Sequence, residues 1–228
     1  MTRRNTARLA GVAFLVYIAA ALSGFVLSSR ATAGTGPAER LASIAAHAGQ
    51  MRLAFVLEMV GCFCALVLAV TLYAITRDAG RELALLAMVC GVAEGVIGAV
   101  SLPRTLERLW LATASGAGAP DPASARVLSA SLLTLPNPSS DLGATFFSVG
   151  SLLFAWLLLR GRIVPVALAG LGVIASILTT VLLPMKLVEL AGRPLTDLMW
   201  LPMLVYEVGL AIWLIVRGAG SARASRTT

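Results

Sequence analysis

Six long runs of apolar residues restrict what this chain can fold into. They lie at residues 9–28, 53–76, 83–103, 142–159, 163–185 and 196–216. Each run is close to the ~20 residues that an α-helix needs to cross ~30 Å of hydrocarbon. Apolar residues make up 58% of the 228-residue chain and charged residues only 13%, whereas soluble domains carry about 25% charged residues. The sequence therefore predicts an all-α fold, with residues 1–228 forming a single polytopic membrane bundle of six transmembrane helices.

Two connections between the apolar runs are long enough to hold structure of their own. The first covers residues 29–52 and predicts a short helix at 37–50. The second covers residues 104–141, where "TLERLWLATA" (105–114) and "ASARVLSASLLTL" (123–135) are amphipathic. The segment "PNPSSD" (136–141) should end the second of these and start the next span. We predict short interfacial helices in both outer loops.

The distribution of arginine predicts the orientation of the chain in a cell membrane. Ten of the 18 cations lie at the termini and in the tight turns near residues 77–82 and 160–162. Short loops rich in arginine or lysine remain cytoplasmic. Both termini should therefore be cytoplasmic, and the two long loops should face outward. A rival interpretation treats Arg3, Arg4, the first apolar run and "ATA" at 31–33 as a signal peptide. That apolar run is longer than usual for a signal peptide, and we favour a retained span.

Several classes of function lack the residues that they would need. The cations lie at the ends of apolar runs instead of forming a basic stripe, which argues against nucleic-acid binding. Cys62, Cys64 and Cys90 are all inside apolar runs, and His47 is the single histidine. This composition supplies few of the ligating side chains that a metal or haem site needs. The sequence predicts no metal and no cofactor, and it does not define an oligomeric state.

Three glutamates interrupt the apolar runs at similar depths. At ~1.5 Å per residue, Glu58 lies about 8–10 Å, Glu94 about 13–14 Å and Glu207 about 16 Å below the outer boundary. The cytoplasmic halves of the predicted spans contain no acid. A carboxyl group in the bilayer costs about 2.5–3.5 kcal/mol, so such residues mark functional sites by default. A purely structural role, in which each acid pairs with an arginine or with another acid, is the alternative.

These depths predict an acidic pocket that opens toward the outer face. Glu58, Glu94 and Glu207 are its candidate proton donors or ligand contacts, because a buried carboxyl group without a cation favours its neutral form. Other candidates are Arg52, Arg104 and Asp141 at the mouth of the pocket, and Tyr206 and Cys90 along its wall. Gly91 and Gly95 form a GxxxG pattern in the same run as Glu94. Because small residues let helices approach closely, Glu94 should point at a neighbouring helix.

Three hypotheses about function follow from this pocket. The first is a membrane protein that binds a lipid-like or amphiphilic small molecule. The second is an intramembrane enzyme that uses a protonated glutamate as general acid, with chemistry analogous to that of membrane terpene cyclases or of isomerases. The third is a proton-coupled transporter, which is weakened by the lack of acids in the cytoplasmic halves. Whether the chain is an enzyme stays open at this stage. The partners that we expect are the lipid bilayer and a hydrophobic small molecule.

Several motifs resemble the bacterial domain of unknown function 4386 family. In "MRLAFVLEMV" (51–60) an acid, Glu58, follows Arg52 by six residues, as in that family, and Glu94 falls where members often carry an acid. The other similar stretches are "TARLAGVAFLVYIAA" (6–20), "LYAIT" (72–76), "SLLFAWLLLRGRIVPVALAGLGV" (151–173) and "YEVGLAIWLIVRG" (206–218). Members often have a histidine just before span four, where this chain has Ser139, Ser140 and Asp141. The resemblance implies a six-helix membrane fold and supplies no activity.

Overall fold

Helices account for nearly all of the structure that can be described. The computed structural model describes residues 2–114, 120–134, 138–188, 190 and 198–220. Within them the helices are α1 (Arg3–Ala31), α2 (Pro37–Ala46), α3 (Ala48–Thr76), α4 (Arg81–Ser101), α5 (Pro103–Thr113), α6 (Pro122–Thr134), α7 (Pro138–Arg160), α8 (Val166–Leu187) and α9 (Trp200–Val216). The predicted all-α bundle is confirmed.

Five segments are long and apolar enough to cross a membrane. They are α1, α3, the α4–α5 segment, α7 and α8. These five match the first five predicted spans, although α1 and α3 begin several residues earlier than expected. The sixth apolar helix, α9, has 17 residues, which corresponds to a length of about 25 Å. Residues 196 and 197 of the sixth predicted span lie outside the described residues, so a sixth crossing stays a prediction.

The six apolar helices form a closed ring. Going round it, α1 packs against α3, α3 against α4, α4 against α7, α7 against α8, α8 against α9, and α9 against α1. Successive apolar helices of the chain are neighbours in the ring, and the turns that join α3 to α4 (77–80) and α7 to α8 (161–165) are short. The ring therefore encloses an interior that every one of the six helices can reach.

One half of this interior is solidly packed. The half nearest the start of α1 holds the main buried apolar cluster, which includes Ala10, Phe14, Leu72, Phe154, Leu158, Leu210 and Leu214. Small residues bring the helix backbones close together here. A Cβ atom added at Gly11 would lie 2.7 Å from the backbone oxygen of Ala211, and one added at Gly91 would lie 2.9 Å from Cβ of Ala69. The predicted GxxxG face of α4 therefore packs against α3.

The other end of the ring is covered by three short helices, α2, α5 and α6, which we call the cap. Its helices contact one another and share a separate apolar cluster of Ala31, Ile44, Met51, Leu109 and Leu133. At the start of α2, the backbone N–H and the hydroxyl of Thr35 donate hydrogen bonds to Glu39 and lower the pKa of that carboxyl group. The predicted interfacial helices are thus present and form a packed unit over the ring.

Candidate functional site

A cavity of about 760 Å³ occupies the half of the ring that lies beneath the cap. Its walls come from α1, α3, α4, α5, α7 and α9, and none of its lining residues belongs to α8. Apolar side chains such as Ile18, Leu57 and Met203 form most of the surface, with a small number of polar groups among them. Pockets that bind small molecules usually combine an apolar wall with a few convergent polar groups in this way.

All three embedded glutamates line this cavity. Glu58 comes from α3, Glu94 from α4 and Glu207 from α9. The hydroxyl of Tyr17, on α1, donates a 2.8 Å hydrogen bond to Oε1 of Glu94. Glu94 and Glu207 lie close enough to interact electrostatically, and we call these two residues the acid pair. The predicted contact of Glu94 with a neighbouring helix is therefore present, and its partner is Tyr17.

Glu207 is the most exceptional of the three. Its side chain is only 6% exposed, yet its Oε1 atom has no hydrogen-bond partner among the described residues. A buried polar atom that lacks a partner costs about 1–3 kcal/mol. Glu207 thus lines the cavity while one of its carboxyl oxygens stays buried without a partner among the described residues.

Glu58 has a different, more polar environment near the cap. The hydroxyl of Thr105 donates a 3.1 Å hydrogen bond to its Oε2 atom. Arg108 lies near enough to interact electrostatically with the same carboxylate. Arg104, Arg108, Ser139 and Ser140 also line this end of the cavity.

The arginines of the cap also hold its helices together. Arg40 donates a 2.8 Å hydrogen bond to the carbonyl oxygen of Leu133, and Arg108 donates a 2.9 Å bond to that of Leu132. Arg104 contacts the carbonyl oxygens of Ser131 and Leu132. These carbonyls belong to the last turn of α6, where helical carbonyls lack intrahelical partners and carry partial negative charge. The cap is therefore joined by cations from α2 and α5 at the C-terminal end of α6.

Three aromatic rings run along one wall of the cavity. Tyr17 stacks on Phe147 with ring centroids 6.5 Å apart, and Phe147 lies 6.3 Å from Trp200. All three residues line the cavity. The hydrogen bond from Tyr17 to Glu94 connects this aromatic row to the acid pair. The cavity therefore holds an aromatic row connected to the acid pair, in addition to the cationic side chains near the cap.

Four of the predicted site residues do not line the cavity. Arg52 is exposed on α3. Asp141 binds Lys186 of α8 through a 2.7 Å ion pair. Tyr206 is buried in the packed core against Gly172, and Cys90 is buried where α7 approaches at Gly150. Of the three predicted mouth residues, only Arg104 lies at the cavity.

Several cavity residues were not predicted from the sequence, although the spacing of some of them indicates that they share a helix face with a predicted site residue. Arg108 follows Arg104 by four residues in a predicted amphipathic helix, and such residues lie on the same face. Thr105 adjoins Arg104 in that helix, whereas Phe147 and Trp200 gave no signal beyond membership of apolar runs. Cys62, not Cys90, is the thiol that lines the cavity. Across the described residues, no cluster of three or more histidine, cysteine or acidic side chains could hold a metal ion.

The ring of apolar helices, with polar groups gathered in one half of its interior, defines a polytopic helical membrane bundle. A family model described as "Domain of unknown function (DUF4386)" matches residues 9–218. The chain belongs to this family, which confirms the resemblance carried by its sequence motifs. No curated protein and no solved structure gives a significant match.

Proposed function

We propose that the cavity binds a lipid-like or amphiphilic small molecule and that Glu94 and Glu207 contact the polar part of this ligand. The observation that carries the proposal is that Glu207, whose Oε1 atom is buried without a partner among the described residues, lines the same cavity as Glu94. A ligand hydroxyl or amine would donate hydrogen bonds to these carboxyl groups. The apolar walls would receive the rest of the molecule.

The position of exposed lining residues supports entry from the lipid phase. Ala21 and Leu22 on α1 and Leu201 on α9 line the cavity and are also exposed. The two helices that carry them meet closely at Gly11 and Ala211, well away from this level. A hydrophobic molecule could therefore pass between α1 and α9 without crossing water.

A cavity-filling substitution tests the proposal. Gly61 lines the cavity, and a Cβ atom added there would meet no atom within 4 Å. Gly61→Leu should therefore fold normally and weaken ligand binding by about ten-fold or more. The probes are dodecanol, dodecyltrimethylammonium and dodecyl sulfate, each titrated against protein in a non-ionic detergent. Native mass spectrometry measures a saturable one-to-one adduct.

Gly170→Leu is the matched control, because its added side chain also starts in open space but lies on α8, outside the cavity. This control should bind as tightly as the unmodified chain. If none of the three dodecyl probes forms a saturable adduct, or if both leucine variants bind equally well, the proposed function is wrong.

Orientation is a further part of the proposal. We infer that the chain resides in the cell membrane with both termini in the cytoplasm and the cap outside, as the arginine distribution favours. In a background with the three native cysteines replaced by alanine, a membrane-impermeant maleimide should label Glu107→Cys in intact cells. Arg81→Cys, exposed at the opposite end of the bundle, should be labelled only after permeabilisation. The reverse pattern would invert the orientation.

Acid catalysis inside the membrane is the second candidate function. It is favoured by the acid pair, because a protonated carboxyl group in an apolar cavity can act as general acid toward a bound substrate. The hydrogen bond from Tyr17 would hold Glu94 in place for such a step. This candidate differs from simple binding in one respect: the bound molecule would leave the cavity chemically changed.

A further inference from the structure

The aromatic row and the acid pair have complementary chemistry. Tyr17, Phe147 and Trp200 present consecutive rings along one wall, with centroids 6.5 Å and 6.3 Å apart. The row begins at the residue that binds Glu94. Aromatic faces are electron-rich and attract cations, particularly where water is scarce. Carboxyl oxygens supply the opposite charge or accept hydrogen bonds.

Glu207 adds a second carboxyl group at the same cavity. Its Oε1 is buried and has no partner among the described residues, and the residue lines the same cavity. Glu94 already accepts a bond from Tyr17 at one oxygen, so its second oxygen is also open to a ligand. A protonated amine offers donors to both carboxyl groups, and a quaternary ammonium group offers charge without donors.

The remaining charged groups of the cavity lie toward the cap. Arg104 and Arg108 contact carbonyl groups at the end of α6, and Glu58 is held by Thr105. Arg104 is ten residues beyond Glu94 along α4 and α5, which corresponds to about 15 Å of helix. The backbone of the nearer arginine is therefore about 15 Å of helix away from that of Glu94.

We propose that the ligand of this cavity is a cationic amphiphile, an inference that rests on the proposed function. The positively charged nitrogen, in a protonated amine or a quaternary ammonium group, lies between the acid pair and the aromatic row. The apolar chain of the ligand extends along Ile18 and Leu22 toward the gap between α1 and α9. The site thus selects its ligand by charge as well as by hydrophobicity.

The three dodecyl probes test this inference because they share a chain and differ in head group. Dodecyltrimethylammonium should bind about ten-fold more tightly than dodecyl sulfate, with dodecanol between them. The preference should fall to about three-fold or less in Trp200→Leu and in Glu207→Gln. Trp110→Leu, on the exposed face of α5, and Glu82→Gln, in the exposed first turn of α4, are the matched controls and should keep the full preference.

Each outcome decides one of the two proposals. Saturable binding without a preference for the cation, or tighter binding of dodecyl sulfate, overturns the cationic ligand and leaves the cavity as a binding site. A cation preference that survives in both Trp200→Leu and Glu207→Gln also overturns it. Absence of saturable binding by all three probes rejects the proposed function itself. Unfolding temperatures of the variants identify any that have lost the fold, and the Trp200 variant, altered at a partly exposed residue, provides a test independent of Glu207.

Discussion

Gly172→Ala is expected to lower the free energy of unfolding by about 1–3 kcal/mol, the usual cost of overpacking a close interface. A Cβ atom at this position would overlap Cε2 of Tyr206 and lie 2.8 Å from its Cδ2. The tyrosine ring is rigid and only 3% exposed, so it cannot turn away without disturbing the core. The change should therefore loosen the contact between α8 and α9, as measured by chemical or thermal unfolding in detergent.

Gly170→Ala is a control from the same helix. A Cβ atom at Gly170 would meet no atom within 4 Å, and alanine favours the helix by up to about 1 kcal/mol over glycine. This variant should be neutral or slightly stabilised. If Gly172→Ala and Gly170→Ala unfold alike, the close approach of Tyr206 is wrong. Combining Gly172→Ala with Tyr206→Leu should recover part of the loss, because the two residues are in contact.

Arg108→Met should release the cap while leaving the ring folded. The change removes a charge-assisted hydrogen bond of 2.9 Å to Leu132 and the cation beside Glu58. Hydrogen bonds to charged groups contribute about 1.5–3 kcal/mol. Methionine keeps most of the apolar stem, so the effect reports the lost guanidinium group. We expect faster amide hydrogen exchange in α6, measured by mass spectrometry, with little change in α3 or α8.

Arg52→Met serves as its control, because Arg52 is exposed and does not line the cavity. Exchange in α6 should be unchanged in this variant. The comparison also contrasts the sequence-based interpretation, which placed Arg52 at the mouth of the pocket, with the structure, which places Arg108 there. Equal effects from the two substitutions would contradict the role of Arg108 in the cap.

Most of the bundle could be predicted from the sequence because apolar length and helix rise are local properties. The same arithmetic placed Glu58, Glu94 and Glu207 at related depths, and all three line one cavity. Their roles stay predictions. Depth along a helix can be read from residue counts alone, and the order of helices in the ring was not needed to group the three acids.

Direction around a helix is what the sequence left undetermined. Tyr206 adjoins Glu207, but adjacent helical residues point about 100° apart, and Tyr206 faces α8. Arg52 precedes Glu58 by six residues, which rotates it by about 120° away from that side chain. Asp141 binds Lys186, a partner that depends on α7 and α8 being neighbours in the ring. Which face meets which neighbour is a tertiary property and required the coordinates.

The close contact of α1 and α9 at Gly11 has a mechanical consequence. The two helices are held together there, and about 16 Å further along α1, at Leu22, the cavity lies between them. The fixed contact lies in the packed half of the ring, and the two helices separate beyond it. A bulkier ligand would have to push the cap-side ends of α1 and α9 apart, which bends both helices about their contact at Gly11. The stiffness of the packed contact at Gly11, which does not touch the ligand, would then limit the size of the ligand that can enter.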